Sequence, residues 1–292
     1  MKVSGFSFIR NSVQNDYPIK EAILSIMPLC QDFYLAVGKS EDQTLETLKA
    51  LDIPNLHIIE TVWDDTLREN GNVFAEETNK AFDAIPADTD WAFYIQGDEC
   101  LHEKYLPIVK SAMEDHLKNP MVEGLLFNYL HFYGSYDYYG QSRRWYRNEI
   151  RIVRNNKAIR SYRDAQGFRI QDRKLQVKKV NAWIYHYGWA QSQMGLTNKL
   201  RNFNQYYHDE EWLKEHLPED FTFDYSNADR LVRFTDTHPF VMKNRMENRG
   251  LELKIEPEKA GKNMDLRRRL LQWFEDLTGI RIGEYKNYTL LK

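Results

Sequence analysis

The first third of the chain consists of short apolar runs, each followed by a segment with apolar residues at helical spacing. The runs predict strands over residues 3–9, 32–37, 56–60 and 91–95. Helices are predicted from Pro18 onward, over 44–51 and over 73–85. Strands that alternate with helices pair in parallel through right-handed crossovers. We therefore expect a mostly parallel, doubly wound α/β sheet.

The pattern changes after a helix that ends near Pro120. Strands are predicted over 122–132, 149–154, 175–180 and 182–187, with no long helix between them, which is typical of antiparallel strands added to the same sheet. A long helical stretch over 189–217 and a helix over 266–277 follow. These patterns predict an α/β half at 1–120, a second half of the same domain at 121–190 and a helical C-terminal appendage at 191–292.

The fourth predicted strand ends in two adjacent carboxylates, Asp98 and Glu99. Open α/β sheets bind ligands at the carboxyl edge of their strands, and a hard divalent cation is a natural partner for carboxylates. Leu101 and His102 open a pattern with helical spacing. The alternative is therefore that Asp98 only caps that helix.

Composition narrows the class of protein. The 292 residues carry a net charge of -3 with dispersed basic residues, which excludes a general nucleic-acid binder and favours a small ligand. Cys30 and Cys100 lie in apolar contexts, which indicates a reducing compartment rather than a disulfide scaffold. No signal peptide or apolar run of bilayer length is present. We expect a soluble cytoplasmic protein without an integral membrane segment, with peripheral contact at the inner face of the membrane left open.

Three segments, in order, carry a resemblance to a known family. They are Ser-Glu-Asp-Gln-Thr at 40–44, the Gly71 to Asn79 region, which matches Gly-x-x-x-Ala-x-x-x-Asn, and Gln-Gly-Asp-Glu at 96–99. Together the segments resemble those of nucleotide-sugar-dependent glycosyltransferases with a GT-A fold, especially the family 2 type. Gly38 stands in place of the family's base-reading acid, and Gln96 replaces the first acid of its Asp-x-Asp motif.

The resemblance implies a metal-dependent, inverting transfer of a sugar from a nucleoside diphosphate sugar to a hydroxyl of a glycan or glycoconjugate, as in bacterial polysaccharide pathways. Asp98, with Glu99 as helper and His186, would hold Mn²⁺ or Mg²⁺. The alternative for His186 is a hydrogen-bonded core histidine. The residues expected to contact the nucleotide are Arg10, Asn11, Asp42, Asn79, Gln96 and Gly97. Asp42 has the alternative of a helix cap, and Asn79 that of a solvated side chain.

An inverting transfer needs a carboxylate that takes the proton of the acceptor hydroxyl. The candidates are Asp164, Asp172 and Glu149. We favour Asp164, because Gly167 would let its loop bend close to the sugar. The alternative for each candidate is a surface carboxylate paired with a nearby arginine.

Aromatic residues are unusually dense over 127–146. Sugars stack on flat aromatic faces, and arginines suit a phosphate or carboxylate on either substrate. The predicted acceptor residues are Tyr138, Arg143, Arg144, Trp145 and Trp189. The alternative is that half of these rings belong to the core.

Two other functions remain open. A sugar nucleotidyltransferase shares the sheet but needs a Gly-rich loop with Lys or Arg after its first strand, and residues 10–14 lack that loop. A non-catalytic nucleotide- or sugar-binding protein on the same fold is the third interpretation.

Overall fold

The computed structural model describes residues 1–64, 67, 71–225, 228, 230–251 and 265–292. Within these residues, an eleven-stranded mixed sheet forms the centre and a three-stranded sheet lies apart from it. The strands are β1 Val3–Ile9, β2 Asp32–Gly38, β3 Leu56–Thr61, β4 Trp91–Tyr94, β5 Glu99–Leu101, β6 Gly124–Tyr133, β7 Tyr138–Gly140, β8 Asn148–Arg154, β9 Ile159–Tyr162, β10 Gly167–Ile170, β11 Arg173–Lys174, β12 Gln176–Trp189, β13 Leu231–Arg233 and β14 Thr289–Leu290. The helices are α1 Ile19–Ile26, α2 Thr44–Lys49, α3 Asn72–Asp83, α4 Leu106–His116, α5 Gln193–Asn204, α6 Glu210–His216, α7 Lys243–Asn248 and α8 Leu266–Thr278.

The first four strands form the predicted parallel unit. They lie in the order β3, β2, β1, β4, and each neighbouring pair is parallel. Their side chains are buried on both faces in β1 and β4, as expected for a sheet covered by helices. The carboxyl ends of β1 and β4 therefore meet at one edge of the sheet.

The antiparallel extension is also present. Strand β8 is antiparallel to both β4 and β6, whereas β12 runs parallel to β6. The strands predicted over 175–180 and 182–187 are one long strand, β12, with a register shift between Lys179 and Trp183. The whole is a mostly parallel central sheet flanked by helices with added antiparallel strands, which confirms the fold class that the GT-A resemblance implies.

The prediction that a helix begins at Leu101 is wrong. Residues 99–101 form β5, whose Cys100 pairs with Tyr185 of β12, and α4 begins only at Leu106. Pairing with β12 satisfies the backbone N–H and C=O groups that would otherwise be paired within a helix. Asp98 thus ends a turn between two strands, and the helix-cap interpretation of this residue is wrong as well.

The C-terminal region differs from a purely helical appendage. Its long predicted helix is two helices, α5 and α6, and the side chain of Asp209 caps the second by accepting from the Trp212 amide at 2.9 Å. Strand β13 pairs with β7, and β14 pairs with β12, so the region returns to the main sheet. Residues 252–264 of this region lie outside the described part. None of the described helices has the length and apolarity needed to cross a bilayer.

A buried ion pair joins β5 to β8 directly beneath the sheet edge. The Arg151 guanidinium donates to both carboxylate oxygens of Glu99, at 2.8 and 2.7 Å, and both side chains are almost fully buried. Glu99 also accepts from the Tyr129 hydroxyl at 2.9 Å and from the Gln96 amide at 3.0 Å. Removing one partner of such a pair leaves the other charge buried without compensation.

We expect the Arg151→Met variant to lose about 3–5 kcal/mol of unfolding free energy, because it strands the Glu99 carboxylate. Urea unfolding followed by circular dichroism measures this loss. The control is Arg173→Met, which breaks a bidentate pair with Glu123 that is partly exposed, and should cost less than about 1 kcal/mol. Equal losses in the two variants would contradict a special role for the buried pair.

Candidate functional site

A cavity of about 680 Å³ opens at the sheet edge where β1 and β4 end. Its walls come from distant parts of the chain, including the turn after β4, the end of β12, helix α5 and the segment before β14. The predicted site residues that line it are Arg10, Asn11, Gln96, Gly97, Asp98, Glu149, Asp164, His186 and Trp189. The structure thus brings most of the predicted residues into one enclosure.

Asp98 lies at one end of the cavity beside a cation from α5. Its Oδ2 accepts from the Lys199 ammonium at 2.9 Å and lies 3.6 Å from His186 Nε2. Lys199 also donates to the Gly188 carbonyl at 2.9 Å. Burial raises the pKa of Asp98, but Lys199 and His186 outweigh burial and lower the pKa to about 2. Asp98 is therefore an anion throughout the physiological range.

Gly188 allows this approach. A Cβ at that position would lie 2.6 Å from Asp98 Oδ2 and 2.7 Å from His186 Nε2. The glycine that follows the strand histidine therefore makes room for both side chains.

A second histidine sets the protonation of His186. His131 Nε2 lies 2.8 Å from the Tyr146 carbonyl, which can only accept, so this nitrogen carries a proton. Burial and the neighbouring His186 hold the pKa of His131 well below its usual value, so His131 is neutral and its Nδ1 accepts. The His186 Nδ1, 3.2 Å away, must then donate. Burial also lowers the pKa of His186, so its imidazole is neutral near pH 7. With the proton on Nδ1, the Nε2 toward Asp98 is unprotonated, which is the form that binds metals.

The three predicted metal ligands do not behave alike. Glu99 does not fit a metal site, because both its oxygens are occupied by Arg151 and its side chain is fully buried. Asp98 and His186 do fit, since an anionic oxygen and an unprotonated nitrogen face each other at 3.6 Å. Among the described residues no group of three or more His, Cys, Asp or Glu side chains is suited to a metal. A cation here would need other ligands to complete its shell.

The residues expected to read the nucleotide are partly committed elsewhere. The Arg10 guanidinium donates to the Tyr206 hydroxyl at 2.7 Å and lies over the Trp63 ring. The Asn11 side chain accepts from the Glu41 amide at 2.9 Å. Both residues nevertheless border the cavity, where Arg10 holds two aromatic rings of the wall in position.

The space next to Gly38 is already filled. Gly38 stands where the family that the sequence resembles has its base-reading acid. A Cβ at Gly38 would lie 2.2 Å from the Trp63 indole nitrogen. Trp63 is itself buried and lines the cavity. The indole therefore fills the space into which an acidic side chain would project.

Asp42 and Asn79 lie outside the cavity. The Asp42 carboxylate accepts from the Thr44 amide at 3.0 Å, at the start of α2, and from the Gln14 amide at 2.7 Å. Asn79 accepts from the Ser161 amide at 2.8 Å and borders a separate open groove. The Asp42 contacts favour its local role at the start of α2, whereas Asn79 is half-buried and joins α3 to β9 instead of being simply solvated.

The three candidate carboxylates are separated by their surroundings. Glu149 is buried, its Oε2 has no hydrogen-bond partner, and burial raises its pKa to about 8. Asp164 also lines the cavity with an unpartnered Oδ1, and burial raises its pKa. Asp172 lies exposed in the turn between β10 and β11, away from the cavity lining. Glu149 and Asp164 are the carboxylates available to a ligand.

The five residues predicted to bind the acceptor substrate do not lie together. Trp189 lines the cavity, but Arg143 donates to Glu275 of α8 at 2.9 Å. Trp145 is a core ring, because its indole nitrogen packs where a Cβ on Gly140 would stand. The two remaining residues are Tyr138, which lies on β7 opposite Arg233, and the exposed Arg144 over the Trp145 ring.

The sequence analysis missed several lining residues. Lys199, Asn202 and Phe203 share one face of α5 and line the cavity. Their i, i+3, i+4 spacing was a signal for that face. Tyr285 and Asn287, which precede β14, left no such signal because no periodic pattern surrounds them.

No protein-family model matches the sequence, and no curated protein matches it. Among solved structures, the chain is similar to S. aureus TarS 1-349 in complex with UDP, with 17% identity and a TM-score of 0.39 over 89% of this chain and 77% of that one. It is also similar to glucosyl-3-phosphoglycerate synthase from Mycobacterium tuberculosis in complex with Mg²⁺ and UDP, with 16% identity and a TM-score of 0.30 over 45% and 43% of the two chains. Another TarS structure is covered over 39% of its length. The site is therefore interpreted from its own residues.

The raised pKa of Glu149 predicts a pH-dependent stability. The native state keeps this proton up to about pH 8, whereas the unfolded chain releases it near the ordinary value of 4.5. The stabilisation is thus complete below pH 4.5 and falls as pH rises to 8, by up to about 1.4 kcal/mol per pH unit. Urea unfolding across this range should show the slope in the wild type and a flatter profile in Glu149→Gln. The exposed Asp172→Asn variant is the control, and an unchanged slope in Glu149→Gln would contradict the assignment.

Proposed function

We propose that this protein is a glycosyltransferase that moves a sugar from a nucleoside diphosphate sugar to a hydroxyl of a glycan or glycoconjugate, with inversion. One observation carries the proposal. A single cavity combines an end that can bind a diphosphate, formed by Asp98, His186 and Lys199, with two carboxyl groups, Glu149 and Asp164. Each carboxyl group has one buried oxygen without a hydrogen-bond partner among the described residues. The first end suits a charged leaving group and the second suits a proton acceptor.

The diphosphate end uses two kinds of positive charge. Asp98 and His186 would hold Mn²⁺ or Mg²⁺, whose remaining ligands would be phosphate oxygens and water. When bound, the cation would neutralise the negative charge that builds up on the leaving diphosphate. The Lys199 ammonium donates to Asp98 at 2.9 Å, and its positive charge and three N–H donors suit a phosphate oxygen of the sugar nucleotide.

The proton-accepting end is assigned to Glu149, with Asp164 as the second candidate. Glu149 lines the cavity, and its buried Oε2 has no partner within the described part of the chain, which leaves it free to pair with an acceptor hydroxyl. Its pKa of about 8 makes it a strong base once deprotonated. In the reaction the Glu149 carboxylate takes the hydroxyl proton while the oxygen attacks the anomeric carbon and the bond to the diphosphate breaks. Trp189 and Tyr146 supply aromatic wall for the sugar rings.

The two cysteine thiols bear on the compartment in which the protein works. Cys30 and Cys100 are both free, which agrees with a reducing compartment. We therefore propose that the reaction takes place in the cytoplasm, where an acceptor at the inner face of the membrane would also be reached.

The base assignment predicts a specific loss. Glu149→Gln should lower kcat by about 10²–10⁴ and leave UDP affinity unchanged, because the carboxyl acts only on the acceptor proton. The wild-type kcat/KM should rise with pH up to about pH 8, as Glu149 loses its proton. The measurement is transfer from UDP-, GDP- and dTDP-sugars, chosen first by thermal shift with and without Mn²⁺. The parallel Asp164→Asn variant is decisive, since loss there with full activity in Glu149→Gln would move the base to Asp164.

The contact between Lys199 and Asp98 predicts competition with the metal. Lys199→Met should bind Mn²⁺ at least about tenfold more tightly than the wild type without nucleotide, because the Asp98 oxygen is freed. The same variant should bind UDP more weakly. Titration calorimetry measures both affinities without any turnover, and the exposed Lys110→Met variant is the control. Mn²⁺ binding that is unaffected by Asp98→Asn would remove the proposed metal site and leave nucleotide binding to be judged separately.

A further inference from the structure

The segment before β14 supplies an unassigned wall of the cavity. The Thr289 amide donates to the Leu175 carbonyl at 2.9 Å, which joins this segment to the start of β12. The buried Arg169 guanidinium donates to the Asn287 carbonyl at 2.8 Å and to the Tyr285 hydroxyl at 3.1 Å. One contact therefore holds the backbone of Asn287 itself, and the other two hold Tyr285 and Thr289 on either side of it.

The Asn287 side chain has unused hydrogen-bonding capacity. It is 4% exposed, and neither its Nδ2 nor its Oδ1 has a partner within the described part of the chain. Buried amides in folded proteins are nearly always paired, since an unpaired one is destabilising. An amide that lines a cavity in this state is ready to pair with a molecule that enters it.

The positions of Gly167 and Glu149 bear on where that molecule would lie. A Cβ built on Gly167 would stand 2.2 Å from Asn287 Nδ2 and 3.6 Å from Glu149 Oε2. The glycine thus provides the space that the amide occupies, and this space lies close to the Glu149 carboxyl. No hydrogen bond joins the two groups.

The chemistry of these groups favours a neutral hydroxyl compound. An amide offers a donor and an acceptor, and the carboxyl oxygens of Glu149 and Asp164 accept, which matches hydroxyl groups that both donate and accept. An anion would meet two carboxyl groups here, and a cation would meet the amide N–H and the nearby Arg169. A sugar ring presents several hydroxyls at fixed spacing.

We propose that Asn287, in the space opened by Gly167, binds hydroxyl groups of the sugar that the donor carries. The inference rests on the proposed function and adds a residue that selects the sugar. Asn287 contributes to binding of the sugar and makes no contact with the diphosphate.

The test compares binding of a sugar nucleotide with binding of its nucleotide alone. UDP, UDP-glucose and UDP-N-acetylglucosamine are titrated calorimetrically into the wild type, Asn287→Ala and Gly167→Ala. We expect both variants to keep the wild-type affinity for UDP within about twofold and to weaken the preferred UDP-sugar at least about tenfold. Gly167→Ala keeps the amide but displaces it, and it serves where Asn287→Ala does not fold. The exposed Asn119→Ala variant is the control.

Four outcomes separate the hypotheses. A loss confined to the UDP-sugar in both variants supports the sugar subsite. Unchanged UDP-sugar affinity in folded Asn287→Ala overturns it and leaves the proposed function intact, since the wild type still binds its donor. Failure of the wild type to bind any of these nucleotides more tightly with its sugar than without it overturns the subsite, and failure to transfer a sugar from any donor overturns the proposed function itself.

Discussion

The buried pair of Glu99 and Arg151 is the constraint on which the cavity depends. Glu99 holds the turn after β4 by accepting from the Gln96 amide, and Arg151 ties it to β8. With Glu99 turned inward, its neighbour Asp98 is left to face the cavity, where the Asp98 carbonyl accepts from the Tyr187 amide at 2.7 Å. Of two adjacent carboxylates, one is thus buried in an ion pair and the other faces the cavity. The division follows from which of them has an arginine within reach.

The cavity also separates two carboxyl groups by environment. Asp98 has an ammonium and an imidazole beside it, and its pKa falls to about 2. Glu149 is buried near other acids, and its pKa rises to about 8. Pairs of acids whose pKa values are driven apart in this way are typical of sites that handle charge at one end and protons at the other. The same sheet edge therefore presents two chemically different surfaces to one ligand.

The sequence predicted the parallel unit well because alternation and helical spacing are local signals, and β1 has the predicted bounds. It failed at Leu101, where pairing with β12, more than eighty residues later, overrode a helical pattern. The cavity lining was predicted where its residues lie at or near the ends of strands, as for Asp98 and His186. Lys199 and Asn287 could not be found in the same way, because only the tertiary structure brings α5 and the segment before β14 to the edge of β4. The sequence also could not show that Glu99 is buried while Asp98 faces the cavity, because this difference depends on the position of Arg151.

The contact between Gly38 and Trp63 couples two positions that are far apart in the chain. An acidic residue at 38 would collide with the indole, and a small residue at 63 would leave a void against a glycine that has no side chain to fill it. Each substitution alone is expected to be destabilising, so the two positions are best exchanged together. A library that varies residue 38 alone would place every new side chain against the Trp63 indole, and introducing an acidic group there is for that reason a two-site problem.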